Sequence, residues 1–380
     1  MKNGGLKGRR MIPVCEPVLD GNEEQYVLDC LRTNWISSAG KYIAAFEERF
    51  SGYCGAKYGV ACSSGTSAIH LALAALDIGP GAEVIIPCFT LVVSANMVIL
   101  TGAKPVLVDV DPRTWCIDPE KIKEKITPRT KAIMVVHMYG HPCDMDPIKD
   151  LAKRYGLFVI EDAAEAHGAE YKGQQVGAIG DVGCFSLYGN KIITSGEGGL
   201  LTTNSVEIAD RARLLRNQAF EEPRFVHRFL GFNYRMTNIQ AAIGLAQCEK
   251  LEEKVERKRQ IARIYTELLK DEPDLTIPYE APWAKNVYWM YGILIGQGFG
   301  VQRDELMRLL RKKGVETRAF FYPMHRQPVY QGDDPRFPDV TGNYPVSDDL
   351  GRRGLYLPSG LTLTNEQIHQ VVEKLLECRR

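Results

Sequence analysis

Short apolar runs punctuate the first half of the chain at Tyr58–Cys62, Glu83–Pro87, Pro105–Val110, Ala132–His137 and Leu157–Asp162. They are rich in Val and Ile and bounded by turn residues, which predicts buried strands. Helix-period segments lie between them at Thr66–Leu76, Lys121–Ile126 and Asp146–Tyr155. Asp118 reads as the N-cap of the second, with Pro119 at the first helical position. Strand–helix alternation with buried strands implies an α/β layer fold with a mainly parallel sheet. Near residue 235 the pattern changes. Thr237 to about Lys270 is long, charged and helical, and predicts one helix linking a large domain to a smaller one. Beyond it come a strand near Tyr288–Ile295, a helix at Asp304–Lys313, a strand near Val315–Tyr322 and a last helix at Asn365–Cys378. The expected division is a flexible leader over 1–11, a large domain over 12–250 and a small α+β domain over 251–380.

Composition narrows the function classes. The 380 residues suffice for a substantial core. Lys plus Arg and Asp plus Glu number 47 each, so there is no basic excess of the kind that nucleic-acid or membrane-surface binders carry. The 10 cysteines are scattered singly without C-x-x-C spacing, which gives no support to a zinc or redox motif; no metal site is expected. They read as reduced, packed thiols of a cytoplasmic protein. The leader is basic and Gly-rich and lacks a signal peptide's apolar core. No apolar run reaches the ~18 residues of a membrane span.

Three segments carry candidate chemistry. Ser63-Ser64-Gly65-Thr66-Ser67 joins a strand to a helix, where backbone N–H groups and a partial positive charge suit a phosphate. Alone, the motif serves equally well as an N-cap cluster. The chain has no G-x-G-x-x-G to suggest a dinucleotide fold. Glu161-Asp162 ends an apolar strand at the edge where α/β folds place ligands. A buried carboxylate there needs a cation, and a protonated pyridine nitrogen is one such partner; a structural acid is an equal alternative. His167 reads as a packed or hydrogen-bonded structural histidine. In Ser186-Leu187-Tyr188-Gly189-Asn190-Lys191 a lysine sits among small and apolar residues. Desolvation would free its amine as a nucleophile, although a lone lysine is more simply an exposed loop residue.

In combination, the phosphate cradle, the strand-end Asp162 and Ser-x-x-x-x-Lys resemble the DegT/DnrJ/EryC1/StrS sugar aminotransferases. These are fold-type I pyridoxal-phosphate enzymes with an aspartate-aminotransferase-like three-layer fold. The resemblance runs from Ile12-Pro13 to Leu357-Pro358-Ser359-Gly360. Its most specific pieces are Trp35-Ile36-Ser37-Ser38-Ala39-Gly40, Glu161 to Gly168, Tyr188 to Lys191, Gly231 to Met236 and Phe321 to His325. Within the family, Trp35 to Ser38, Tyr139 to Pro142 and Phe320 to Pro323 look most like the branch that aminates C4 of GDP-4-keto-6-deoxymannose.

That resemblance implies roles. Lys191 would carry the cofactor and move protons, and Asp162 would keep the pyridine nitrogen protonated. Glu165 would sit near the ring hydroxyl. Gly65, Thr66 and Ser67, with Ser186, would hold the phosphate. Asn233 would reach the phosphate of a partner subunit's cofactor, making a homodimer with active sites at the interface. Trp35, Ser37 and Ser38 would approach the sugar, and Arg318, Tyr322 and His325 the sugar or its diphosphate. L-Glutamate would be the amino donor and a nucleotide-linked keto sugar the acceptor. There are departures from the family pattern. Leu91 stands where an aromatic residue often stacks on the cofactor. Position 165 is often Gln or His elsewhere, with Glu in the GDP-sugar branch. Ala319 follows Arg318 where proline is common. Relatives that dehydrate sugars carry His in place of the lysine, so Lys191 favours transamination. Amination of another sugar or a cyclitol, and a catalytically silent binding protein, remain the alternatives.

Overall fold

Residues 11–380 are described by a computed structural model, so all of the expected leader except Met11 lies outside the described residues. The centre is a seven-stranded sheet of β1 (Tyr58–Cys62), β2 (Glu83–Pro87), β3 (Lys104–Val108), β4 (Thr130–Val136), β5 (Phe158–Asp162), β6 (Val182–Ser186) and β7 (Gly199–Thr203). Their spatial order is β1-β7-β6-β5-β4-β2-β3. All neighbours run parallel except at β7, which is antiparallel to both β1 and β6.

Alternate strand residues feed two separate cores, as a period of two requires. Ile85, Ile133 and Val135 join Phe46 and Phe50 of the helix Lys41–Cys54 on one face. Val84, Ile86, Ala132 and Met134 join Ile69 and Leu73 of the helix Gly65–Ala75 on the other. Helix, sheet and helix thus form three layers, the expected architecture. A smaller antiparallel sheet orders Leu275–Thr276, Tyr291–Ile295, Gly354–Leu357 and Arg318–Ala319. It packs with the helices Leu251–Leu269, Arg303–Lys312 and Asn365–Leu376 around a third core that includes Tyr265, Ile293 and Val371.

Two expectations need correction. The single long helix is two, Asn238–Glu249 and Leu251–Leu269, broken at Lys250 with φ −111 and ψ 15. The strand expected over Val315–Tyr322 shrinks to Arg318–Ala319. Val315 instead makes a parallel bridge with Ile12, which carries the start of the described chain onto the smaller unit.

Candidate active site

The carboxyl ends of the parallel strands open on a cavity of about 430 Å³, where open α/β sheets place ligands. Gly65, Thr66, Leu91, Asp162, Glu165, Ser186, Lys191 and Arg318 line it, so eight residues singled out from sequence converge, seven from four strand ends of the central sheet and Arg318 from the smaller sheet. Thr90, Tyr188, Asn190, Glu197, Trp289, Phe321 and Tyr356 complete the wall.

The helix Gly65–Ala75 begins here. Ser64 is its N-cap, accepting from the Ser67 N–H at 3.1 Å, while the Ser64 N–H donates to Ser67 Oγ at 2.9 Å. The Ser67 hydroxyl also donates to Ser64 O at 2.8 Å, so it is turned into the cap and does not line the cavity. The N–H groups of Gly65 and Thr66 have no carbonyl one turn back to bond. Together with the Thr66 and Ser186 hydroxyls they make a corner whose chemistry suits an anion. Gly65 is required by close approach: a Cβ there would lie 2.6 Å from Ser186 Cβ.

Asp162 ends β5 and is 7% exposed. Ala164 N–H donates to its Oδ1 at 3.2 Å and Ser94 Oγ to its Oδ2 at 3.4 Å. Two long hydrogen bonds do not compensate burial, which pushes the carboxyl above its usual range. A protonated ring nitrogen would be a fitting cationic partner for this carboxylate. Glu165 follows on the loop after β5. Its Oε2 accepts from Tyr139 N–H at 2.9 Å, and burial raises its carboxyl to about 7. Lys191 Nζ lies 3.9 Å from Glu165 Oε1 and 3.9 Å from the Trp289 ring centroid. Burial pulls the amine below the ordinary lysine value, opposed by Glu165 and Asp162. A lysine so placed can act as nucleophile and as proton carrier.

Other expected residues stay outside the cavity. His325 is 5% exposed, with Nδ1 3.0 Å from Cys88 Sγ and Nε2 3.2 Å from Asp348 Oδ1, so both ring nitrogens are engaged away from the site. Tyr322 is exposed beyond the lining. The carbonyls of Trp35 and Ser37 are held by Asn238, at 2.7 Å from its Nδ2 and 2.6 Å from its N–H, and leave Trp35, Ser37 and Ser38 exposed. Asn233 is exposed too. His167 is buried edge-on against Phe50, and neither ring nitrogen makes a hydrogen bond. Burial pulls it to about 3, so it is a neutral packing residue. Sequence reasoning missed Trp289, which reaches the site only through the tertiary fold, and singled out Tyr139 only within a family motif, without its hold on Glu165.

The corner, the aspartate and the lysine line a single cavity, and their chemistry fits pyridoxal phosphate. Comparison with known proteins agrees. The profile of the DegT/DnrJ/EryC1/StrS aminotransferase family matches residues 17–376, and the chain belongs to that family. It is 48% identical to the GDP-perosamine synthase of Caulobacter vibrioides over 96% of this chain and 97% of that protein. Identity to the GDP-perosamine synthase of Escherichia coli O157:H7 is 45%, over 97% and 98%. The solved structure of Helicobacter pylori PseC, an aminotransferase involved in the biosynthesis of pseudoaminic acid, superposes with a TM-score of 0.91 at 26% identity, covering 97% of this chain and 99% of that one. A sugar and an amino donor are therefore its substrates. No helix among the described residues is long and apolar enough to cross a membrane.

Proposed function

We propose that the enzyme transfers the amino group of L-glutamate to C4 of GDP-4-keto-6-deoxymannose, giving GDP-perosamine. The observation that carries this is a complete lysine–aspartate–glutamate site in a chain 48% identical, nearly end to end, to a GDP-perosamine synthase. Bound pyridoxal phosphate supplies an electron sink for the pair left when a proton departs the carbon bearing the amino group. Asp162 keeps the ring nitrogen protonated, which its own need for a cation favours. Lys191, free of the cofactor during turnover, carries the proton between the donor carbon and its destination. Glu165 shares charge with Lys191 and steadies either protonation state. Gly65, Thr66 and Ser186 would hold the phosphate, and Leu91 would give the cofactor an apolar contact. Arg318 at the cavity wall suits the substrate's diphosphate.

The working unit is a homodimer in the cytoplasm. Asn233, exposed and away from its own cavity, is free to complete a second subunit's site, and the 10 unpaired cysteines suit a reducing compartment.

The test follows the visible absorption of the enzyme with pyridoxal phosphate. L-Glutamate should bleach it, and GDP-4-keto-6-deoxymannose should restore it with formation of an amino sugar seen by mass spectrometry. Recovery with dTDP- or UDP-linked keto sugars but not the GDP sugar would overturn the substrate assignment and leave the enzyme class standing.

A further inference from the structure

Trp289 is 3% exposed and meets the catalytic lysine in two ways. The Lys191 amine sits over its ring, 3.9 Å from the centroid, well inside cation–π range. Its Nε1–H donates to the carbonyl of Asn190, the residue before the lysine, at 2.7 Å. The indole thus holds the lysine's backbone and its amine together.

Trp289 is itself pinned from other elements. Lys258, on the helix Leu251–Leu269, donates from Nζ to Trp289 O at 2.6 Å and also to Ser359 O. Val287 N–H donates to Gly140 O at 3.1 Å, close to the Tyr139 whose N–H holds Glu165. The Tyr139 ring stacks on Trp289 at 6.1 Å and 29°. Both neighbours of the amine, the ring beneath it and the carboxylate beside it, are therefore fixed through one packed unit.

We infer that Trp289 is a positioning residue for the transamination: its ring face is the seat of the Lys191 ammonium whenever that amine is free, and its N–H fixes the lysine's backbone. This rests on the reading of Lys191 as the cofactor lysine. The ring stabilises the charged amine against burial, so that Lys191 can hold a proton between removing it and returning it. Removing the ring face leaves a larger neutral fraction at neutral pH. Asp162, Glu165, Glu197 and Arg318 are the charged groups sharing the cavity, and none of them is itself substituted.

The experiment measures reductive methylation of Lys191 at pH 7 in the full chain freed of cofactor, using formaldehyde with cyanoborohydride as the hydride donor and peptide mass spectrometry as the readout. Trp289→Leu should raise the labelling rate roughly 2- to 30-fold, the range that cation–π strength implies, and Trp289→Phe, which keeps a ring face, should raise it less. Replacement of tryptophan by its mono-, di- and trifluorinated forms keeps the shape and folding while weakening the ring face stepwise, and labelling should quicken with each fluorine. No trend across the fluorinated series, or equal labelling in the parent and Trp289→Leu, overturns the inference. Failure of the parent enzyme to aminate a GDP sugar would overturn the proposed function instead, and leaves this labelling series readable.

Discussion

Glu161 and Asp162 are neighbours in sequence, yet strand pleating sends their carboxyls to opposite faces of β5. Glu161 accepts from the N–H groups of Gly177, Ile179 and Gly180 at 2.7–2.8 Å and lies 3.0 Å from His137 Nε2. His137 Nδ1 accepts from Cys143 N–H, which leaves its proton on Nε2 to donate to Glu161. One acid builds the fold and the other serves the cavity.

Their substitutions should separate accordingly. Glu161→Ala strands buried donors and should cost about 3–5 kcal/mol in urea unfolding. Asp162→Ala should change the stability of the cofactor-free chain by about 1 kcal/mol or less. It should lower turnover on the order of 10²–10³-fold. Burial opposes the Glu161 charge, but the bonds from His137, Gly180 and Gly177 outweigh it and hold the carboxyl below its usual value. Its stabilising contribution is therefore complete above pH 4.5, the ordinary value, and disappears as pH falls through the lower folded value.

Glu165 has the opposite sign. Burial raises it to about 7, so between about 4.5 and 7 the folded, cofactor-free chain holds a proton that the unfolded chain has lost. Stability should decline across that window as pH rises. Glu165→Gln should flatten the decline, read as melting temperature against pH. An unchanged slope would remove Glu165 as its source.

Gly65→Ala drives a methyl group into Ser186 and must separate the helix from the end of β6. Overpacking of this kind costs about 1–3 kcal/mol. Because the displaced groups are the phosphate corner, affinity for pyridoxal phosphate should fall about tenfold or more, measured by equilibrium dialysis.

Lys191→Ala should lower turnover on the order of 10²–10⁴-fold while the melting temperature holds or rises, since a buried amine has been removed. Mixed with Asn233→Ala subunits, it should regain activity: in the hybrid, one site combines an intact Lys191 with the other subunit's intact Asn233. Absence of recovery after confirmed subunit exchange would show that each chain completes its own site.

Much of this was legible in the sequence because β1 and β2 are short, almost wholly buried runs closed by turn residues, and their expected limits match the observed ones. Strands β6 and β7, which hold Gly183 and Gly199 and so lack an unbroken apolar run, are not among the expected ones, although both are paired along their length. The break at Lys250 carries no glycine or proline, so the charge pattern ran through it unmarked. Lys191 and Asp162 announced themselves by spacing and order. Trp289 could not, because its approach to the lysine depends on how the smaller unit packs on the larger.

The contact between Gly65 and Ser186 also bears on how such an enzyme can be remade. The floor of the cavity is built from backbone so tightly apposed that it admits no added side chain, whereas the exposed loop around Trp35 and Ser38 is tethered mainly through carbonyls. Side chains on that loop can be exchanged with little disturbance of the fold. Attempts to remake the cavity therefore have almost no freedom where Gly65 meets Ser186, and the tolerant loop lies outside the cavity lining.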